Sequence, residues 1–208
     1  HGVVRAMKAA ALHRWGSDEL AGRTVAIQGC GHVGSHLAME LSALGVRLRV
    51  SDVDPERVFR VTTATGAEGI PPDEIFGAGA DLFAPCALGG VLNAGTIPQL
   101  RVEIVAGAAN NQLREPADGD RLRERGILYA PDYVVNAGGV IGGAPELLGW
   151  SEAEIPARID GIYDTLLAVL RLAGAEGISP HIAADRLAEE RLAGLRQETA
   201  NEPRGPER

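Results

Sequence analysis

Short apolar segments alternate along this chain with segments of helical periodicity. Residues 24–29 (TVAIQG) and 46–52 (VRLRVSD) are β-branched or alternating apolar runs, which predict strands. Between them, residues 32–45 (HVGSHLAMELSALG) repeat apolar side chains at three- and four-residue intervals, which predicts a helix that ends at Gly45. Residues 24–52 are therefore predicted to form a strand, a helix and a second strand.

The same alternation continues through the rest of the chain. Three further short apolar runs predict strands at 80–85, 102–107 and 126–131. Strands that alternate with helices form parallel sheets with right-handed crossovers and helices on both faces. The predicted fold class is therefore α/β, a doubly wound parallel sheet of the Rossmann type.

Helices flank this sheet on both sides in the sequence. An amphipathic pattern covers residues 2–15 and stops at Gly16, while Ser151 and Glu154 form a capping box before a predicted long helix. That helix runs through IDGIYDTLLAVLRLAG, and another begins behind Pro180. We expect one domain over residues 1–197 and a disordered tail over 198–208, where the apolar periodicity ends.

A glycine-rich turn follows the first predicted strand and opens the first central helix. It reads Gly29-Cys30-Gly31-His32-Val33-Gly34, a G-x-G-x-x-G pattern in the context that dinucleotide binding requires. Gly29 permits the tight turn, Gly31 lets the backbone approach a pyrophosphate, and Gly34 lets helix and strand pack closely. The N–H groups of the first helical turn would then face the phosphates.

A carboxylate ends the second predicted strand. Asp52 lies 23 residues after Gly29, where it can accept hydrogen bonds from both hydroxyls of an adenine ribose. Asp54 competes for this role, but it is better placed as the N-cap of the next helix, which starts at Pro55. Because the Asp52 carboxylate would repel a 2′-phosphate and no arginine immediately follows it, the pattern favours NAD over NADP.

Three turns rich in small polar residues follow later strands. The carboxyl ends of strands in a doubly wound sheet open on one crevice, so these turns are expected to line it. Asn110, Asn111 and Asn136 lie in them and could hydrogen-bond a carboxamide, although asparagine is also common in turns for conformational reasons alone. The turns are PCALGG (85–90), GAANNQL (107–113) and APDYVVNAGGV (130–140).

Composition narrows the function classes. The chain has 208 residues, of which 45% are hydrophobic, and 28 acidic against 20 basic residues give a net charge of −8 without a basic stripe. This balance argues against a nucleic-acid surface, and we expect neither a membrane span nor a signal peptide, hence a cytoplasmic protein. Cys30 and Cys86 lack the spacing of a zinc site or a disulfide framework, so we predict no metal and a structural role for both.

Several longer stretches make the chain similar to one family. From Gly2 to about Gln197 it resembles the cofactor-binding domain of the glutamate/leucine/phenylalanine/valine dehydrogenases, and it is most similar to the leucine and branched-chain members. The matching stretches are GVVRAMKAAA, FAPCALGGVLNAGTIPQL, NNQL, YAPDYVVNAGGVI and AADRLAEER.

The resemblance implies roles for individual residues. It implies that the turn from Gly29 to Gly34, His32 and Val33 included, binds the adenosine half of NAD together with Asp52 and its neighbour Val53. Cys86 and Ala87 would flank that half. Asn110 and Asn136 would approach the nicotinamide, and Val140 would touch the substrate side chain.

The resemblance also implies a reaction. Family members oxidise an L-amino acid with NAD to a 2-oxo acid, ammonium and NADH, and they use two lysines and an aspartate beside the substrate. Lys8 is the only lysine in this chain and lies in the first predicted helix, so we expect no catalytic residue here. The family's substrate domain precedes the cofactor domain, and we expect it upstream of His1, with a homo-oligomer as the full-length enzyme.

One local departure bears on the substrate. After NAGGVI the chain has Gly142, Gly143, Ala144 and Pro145, where leucine-type members carry bulkier and polar residues. If Gly143 borders the side-chain pocket, the substrate range is expected to shift from leucine toward bulkier side chains.

Two other functions fit part of the pattern. A free-standing NAD-binding or regulatory module would share the glycine turn, and a glycine-rich lysine motif upstream would distinguish the enzyme from it. A methyltransferase that binds S-adenosylmethionine would share the glycine turn and the acidic ribose ligand. Gly34 and the NAGGV segment count against the methyltransferase.

Overall fold

A computed structural model of the chain describes residues 1–143 and 149–201. Its centre is a sheet of six parallel strands in the order β3-β2-β1-β4-β5-β6, which confirms the predicted doubly wound α/β fold. The strands are β1 (Thr24–Gln28), β2 (Arg47–Ser51), β3 (Glu68–Gly69), β4 (Leu82–Pro85), β5 (Ile104–Val105) and β6 (Leu128–Tyr129).

Helices cover both faces of this sheet. Side chains alternate along β1, so that Val25 and Ile27 pack in the core under one helical layer while Ala26 packs in the core of the opposite face. The helices are α1 (Gly2–Trp15), α2 (His32–Ala43), α3 (Pro55–Thr65), α4 (Ala117–Glu124), α5 (Asp132–Val135), α6 (Ala137–Gly143), α7 (Ile155–Asp160), α8 (Ile162–Glu176) and α9 (Pro180–Asn201).

The strand order creates one switch point that matters for function. The chain moves outward from β1 through β2 to β3 and then returns to β4 on the other side of β1. Connections leave the carboxyl ends of β1 and β4 in opposite directions, so a crevice opens between them. The glycine turn after β1 and the turn after β4 therefore face each other across this crevice.

Glycine ends two of the helices as predicted. Gly16 follows α1 with φ +75°, and Gly45 follows the last turn of α2 with the same φ. This left-handed conformation is unfavourable for other residues and stops a helix. Both predicted helix ends are confirmed.

The C-terminal helices differ from the prediction in two places, at Gly161 and at the end of the last helix. The expected capping box is present, since Glu154 Oε2 accepts a hydrogen bond of 2.9 Å from the Ser151 backbone N–H. However, the long helix is divided at Gly161 into α7 and α8, because glycine is a poor helix former. Helix α9 continues to Asn201, so residues 198–201 are helical and do not belong to the predicted disordered tail. No proline interrupts residues 181–201, and residues 202–208 lie outside the described part of the chain.

The segment 130–140 is also more ordered than predicted. It was expected to be a turn because of its glycines and asparagine, but it forms the consecutive helices α5 and α6. Gly138 packs against α1: a Cβ on Gly2 would lie 3.6 Å from Gly138 Cα. Tertiary packing of this kind overrides the low helix propensity of glycine.

Among 1–143 and 149–201, no helix combines the length and hydropathy needed to cross a bilayer.

Candidate cofactor site

The turn after β1 is held by main-chain contacts that exclude side chains. Gly29 has φ +101°, and its N–H donates a hydrogen bond of 2.7 Å to the Ser51 carbonyl of β2. A Cβ on Gly34 would lie 1.8 Å from the Gly29 carbonyl oxygen, far inside van der Waals contact. The predicted reasons for glycine at both positions, a tight turn and close packing of α2 on β1, are confirmed.

The middle glycine of the turn, Gly31, is not crowded by other protein atoms. Gly31 is the N-cap of α2 with φ −70°, which any residue can adopt, and a Cβ there would meet no atom within 4 Å. Its backbone borders open space rather than other protein atoms. This is the geometry expected for close approach of a ligand, as predicted for a pyrophosphate. His32 and Val33 follow on the exposed side of the first helical turn.

Asp52 connects the glycine turn to the end of β2. Its side chain is only 6% exposed, and Oδ2 accepts a hydrogen bond of 2.7 Å from the Cys30 backbone N–H. Its Oδ1 accepts one of 2.9 Å from the Asp54 N–H. A carboxylate offers about four acceptor positions, so Asp52 keeps capacity for ligand hydroxyls. Asp54 caps α3 by accepting from the Glu56 N–H, which confirms its predicted role.

An arginine that the sequence analysis did not consider lies beside these carboxylates. Arg57 Nε is 3.2 Å from Asp54 Oδ2, and its Nη1 is 3.9 Å from Asp52 Oδ2. The expectation of NAD over NADP rested only on Asp52 and the residues directly after it. The first turn of α3 brings Arg57 back to the strand end, and the i,i+3 spacing from the N-cap Asp54 was the available signal.

These residues border a cleft of about 440 Å³ at the switch point. Six residues assigned to the cofactor line it: Gly29, Gly31, Asp52, Val53, Cys86 and Ala87. Two exposed apolar side chains also lie there, Val53 with 88% of its surface exposed and Leu88 with 77%. Leu88 was missed because a single leucine in a turn carries no periodic signal.

Two thiols lie near this end of the sheet, Cys86 in the wall of the cleft and Cys30 in the glycine turn, and both are weakly acidic. Burial raises the pKa of the Cys86 thiol to about 11. Burial and the neighbouring Asp52 carboxylate raise the pKa of Cys30 to about 11 as well. Both cysteines are therefore protonated at neutral pH, as the predicted structural role requires, because only a thiolate is a strong nucleophile.

The predicted nicotinamide residues lie further along the sheet and contact each other. Asn136 Nδ2 donates a hydrogen bond of 2.6 Å to Asn110 Oδ1. Asn110 belongs to the turn after β5, and Asn136 lies between α5 and α6. The structure thus brings together two residues that are 26 positions apart, at the carboxyl edge of the sheet. Neither lines the 440 Å³ cleft.

Buried side chains beneath this pair hold the turn after β5 in place. Asp132 Oδ2 accepts from the Asn111 N–H at 2.8 Å, and its Oδ1 accepts from the Tyr129 hydroxyl at 2.7 Å. Burial, followed by the Asp132 charge, raises the pKa of Tyr129 far above its ordinary value. Gln112 is fully buried and donates to the Gly107 carbonyl at 2.8 Å. Tyr129, Asp132 and Gln112 were not predicted as supports of this turn, because no local pattern marks them.

The predicted substrate contact lies on α6. Val140 is 68% exposed, and Gly142 and Gly143 end the same helix. Ala144 and Pro145 lie outside the described residues.

Comparison with known proteins agrees with this geometry. Residues 50–199 match the model of the glutamate/leucine/phenylalanine/valine dehydrogenase family. This chain belongs to that family. Family membership decides against the methyltransferase alternative.

Individual relatives cover nearly the whole chain. It is 48% identical to leucine dehydrogenase of Bacillus cereus over 196 residues, 94% of this chain and 54% of that protein. It is also 48% identical to valine dehydrogenase of Streptomyces coelicolor, over 94% of this chain and 54% of that protein. The crystal structure of L-tryptophan dehydrogenase from Nostoc punctiforme superposes with a TM-score of 0.90 at 47% identity, covering 93% of this chain and 59% of that one. The chain thus spans about half the length of these curated relatives.

Proposed function

We propose that this chain is the NAD-binding domain of an amino acid dehydrogenase that oxidises an apolar L-amino acid to the 2-oxo acid, with release of ammonium. One observation carries the proposal: the glycine turn after β1 is joined through Asp52 to the end of β2, beside an open cleft at the switch point. Ligands of doubly wound sheets bind at such a crevice.

The adenosine half of the cofactor fits the residues of the cleft. The open backbone at Gly31 and the start of α2 would face the pyrophosphate, since a Cβ there would meet no protein atom. Asp52 would accept the ribose hydroxyls with its remaining lone pairs. The exposed side chains of Val53 and Leu88 would lie against the adenine and shield it from water.

The asparagine pair supports the other half of the cofactor. An amide side chain has one acceptor oxygen and a donor group, so Asn110 and Asn136 can match a carboxamide. Their mutual hydrogen bond orients both groups, and Asp132 keeps the adjoining turn rigid. Bound NAD supplies the hydride acceptor, while these residues would determine where its ring lies.

The proton-transfer groups of the reaction are proposed to lie outside these 208 residues. Lys8 is the only lysine, so a pair of lysines beside the substrate needs residues from elsewhere in the complete protein. Relatives named leucine, valine and tryptophan dehydrogenase support an apolar substrate. In this proposal Val140 contacts the substrate, and the complete enzyme is a homo-oligomer.

Binding of NADH to this chain tests the proposal. We expect NADH fluorescence to titrate to saturation, and Gly31→Ala to weaken binding at least about tenfold, because the methyl group would occupy the space of the pyrophosphate. Gly174→Ala is the matched control: it adds a methyl to another uncrowded glycine, on α8. Absence of NADH binding to the unsubstituted chain, or equal weakening by both substitutions, would contradict the proposal.

Catalysis is tested on the complete protein. We expect NAD-dependent oxidation of leucine and phenylalanine by the complete protein and no oxidation by this chain alone. Activity of the isolated chain would contradict the lysine argument. NADH binding by the complete protein without oxidation would favour the non-catalytic NAD-binding module, and a strict preference for valine would refute the hypothesis of a bulkier substrate.

A further inference from the structure

Gly89 belongs to the turn after β4, at the point where that turn reaches the turn after β5. Its neighbours Ala87 and Leu88 line the cofactor cleft. Further along the chain, the Leu92 N–H donates a hydrogen bond of 3.0 Å to the Gln112 carbonyl of the turn after β5. Gly89 therefore lies between a segment that faces the adenosine half of the proposed cofactor site and a segment that contacts the nicotinamide half.

The main chain of Asn110 and Asn111 passes close to Gly89. A Cβ on Gly89 would lie 2.7 Å from the Asn110 carbonyl oxygen and 3.0 Å from that of Asn111. Both distances are shorter than van der Waals contact between carbon and oxygen, so any side chain here would push the two turns apart. Gly89 is not among the described glycines with positive φ, so space and not backbone conformation requires glycine. The adjacent Gly90 N–H donates a hydrogen bond of 2.7 Å to the Asn111 carbonyl and joins the turns.

The turn after β5 is held from its other side as well. Asn111 has φ +52°, which is uncommon for a residue other than glycine, and its N–H donates to the buried Asp132 carboxylate at 2.8 Å. Pushing the Asn110 main chain away from Gly89 would therefore strain the contact with Asp132. The Asn110 side-chain oxygen accepts the 2.6 Å hydrogen bond from Asn136, and hydrogen bonds weaken steeply with misalignment. A small shift of this main chain would thus redirect the Asn110 amide.

We propose that Gly89 is a positioning residue for the nicotinamide end of the cofactor. Because it has no side chain, the turn after β4 lies directly on the main chain of Asn110 and fixes where the Asn110 amide meets the nicotinamide carboxamide. In this inference Gly89 touches neither cofactor nor substrate and acts through Asn110. The inference rests on the proposed function, which places the asparagine pair at that end of NAD.

Two ligands isolate the contribution of the nicotinamide. Adenosine diphosphate ribose is the cofactor without its nicotinamide, and calorimetric titration gives dissociation constants for it and for NADH. We expect NADH to bind the unsubstituted chain at least about threefold more tightly. Gly89→Ala is expected to weaken NADH about fivefold or more and adenosine diphosphate ribose less than about twofold, because only the first ligand uses the Asn110 amide. Damage to the fold alone would weaken both ligands alike.

Gly77→Ala is the matched control. Gly77 ends the short 3₁₀ helix Ile75–Gly77, and a Cβ there would meet no atom within 4 Å, so the ratio of the two dissociation constants should not change. In an Asn110→Ala background, Gly89→Ala should no longer change this ratio, since a positioning residue has no effect once the group it positions is removed. A ratio that Gly89→Ala leaves unchanged, or changes equally in both backgrounds, overturns the inference.

Hydrogen exchange tests the same contact without a substitution, should Gly89→Ala fail to fold. The Gly90 N–H is expected to exchange slowly in the unsubstituted chain, and NADH should slow it at least about threefold more than adenosine diphosphate ribose does. Equal slowing by both ligands overturns the inference, as do equal dissociation constants of both ligands for the unsubstituted chain. If neither ligand binds, the proposed function fails as well, and the two failures are thus distinguished.

Discussion

The two halves of the candidate site are held in place by different means. Around the adenosine half, main chain packs on main chain: Gly34 approaches the Gly29 carbonyl so closely that no Cβ fits. Around the nicotinamide half, the turn after β5 is held by buried side chains from elsewhere, chiefly Asp132 and Gln112. The first arrangement depends on the absence of side chains within one short motif, and the second on side chains brought together by the fold.

This difference predicts different consequences of substitution. In the adenosine half, one added methyl group is enough to separate a strand from a helix. In the nicotinamide half, a substitution lowers the free energy of unfolding when it leaves a buried donor without its acceptor. This loss is smaller but still measurable. Four substitutions or conditions test this contrast.

Gly34→Ala is expected to have the largest effect. Because its Cβ would lie 1.8 Å from the Gly29 oxygen, we expect the free energy of unfolding to fall by at least about 3 kcal/mol. Urea unfolding followed by circular dichroism measures this. Gly31→Ala, in the same turn, should change stability by less than about 0.5 kcal/mol. Equal free energies of unfolding for the two variants would show that the close approach of Gly34 to Gly29 does not stabilise the adenosine half.

Asp132→Ala should have the next largest effect. It leaves the Asn111 N–H and the buried Tyr129 hydroxyl without their acceptor, so we expect a loss of roughly 2 to 3 kcal/mol in urea unfolding. Asp132→Asn retains one acceptor oxygen and should lose less. A fully stable alanine variant would mean that the turn after β5 does not depend on this carboxylate.

Alkaline pH should have the third largest effect, a decrease in the free energy of unfolding that arises from the Cys86 thiol in the adenosine half. The folded chain raises the pKa of Cys86 from 9.0 to about 11, so its thiol loses the proton at lower pH in the unfolded chain. The protonated form stabilises the fold, and this contribution is lost as the pH rises from 9 to 11. We expect the Cys86 thiol to contribute a loss of about 1 kcal/mol at pH 10 relative to pH 8, in addition to that of Cys30, and Cys86→Ala to show a correspondingly smaller total loss. An identical pH dependence in both proteins would refute this origin.

Asn136→Ala should have the smallest effect on stability. Its hydrogen bond to Asn110 lies near the surface, so we expect a change within about 0.5 kcal/mol but a severalfold weaker affinity for NADH. Asn110→Ala should behave alike, and the double variant should be no worse than either alone if the pair acts as a unit. Unchanged NADH affinity in both would remove the pair from the cofactor site.

Local patterns were sufficient for the fold class and for the glycine turn after β1. The doubly wound sheet follows from short apolar runs that alternate with helical periodicity, and the roles of Gly29 and Gly34 follow from a six-residue motif. Those features depend on residues that are neighbours along the chain. The family resemblance assigned Asn110 and Asn136 to the nicotinamide side, and the structure joins the two side chains by a hydrogen bond.

Other features required the folded chain. Arg57 reaches Asp52 only because α3 turns back over the end of β2, and Asp132 reaches Asn111 across 21 positions of sequence. The segment of α6 is helical despite its four glycines, and Gly138 packs there against Gly2 of α1 and Ile162 of α8, a contact that helix propensity does not predict. Sequence patterns report periodicity and backbone permissiveness, which are local properties. Which charges meet, and which donors are buried, depends on packing, so the position of Arg57 beside Asp52 and the support of the turn after β5 emerged only in three dimensions.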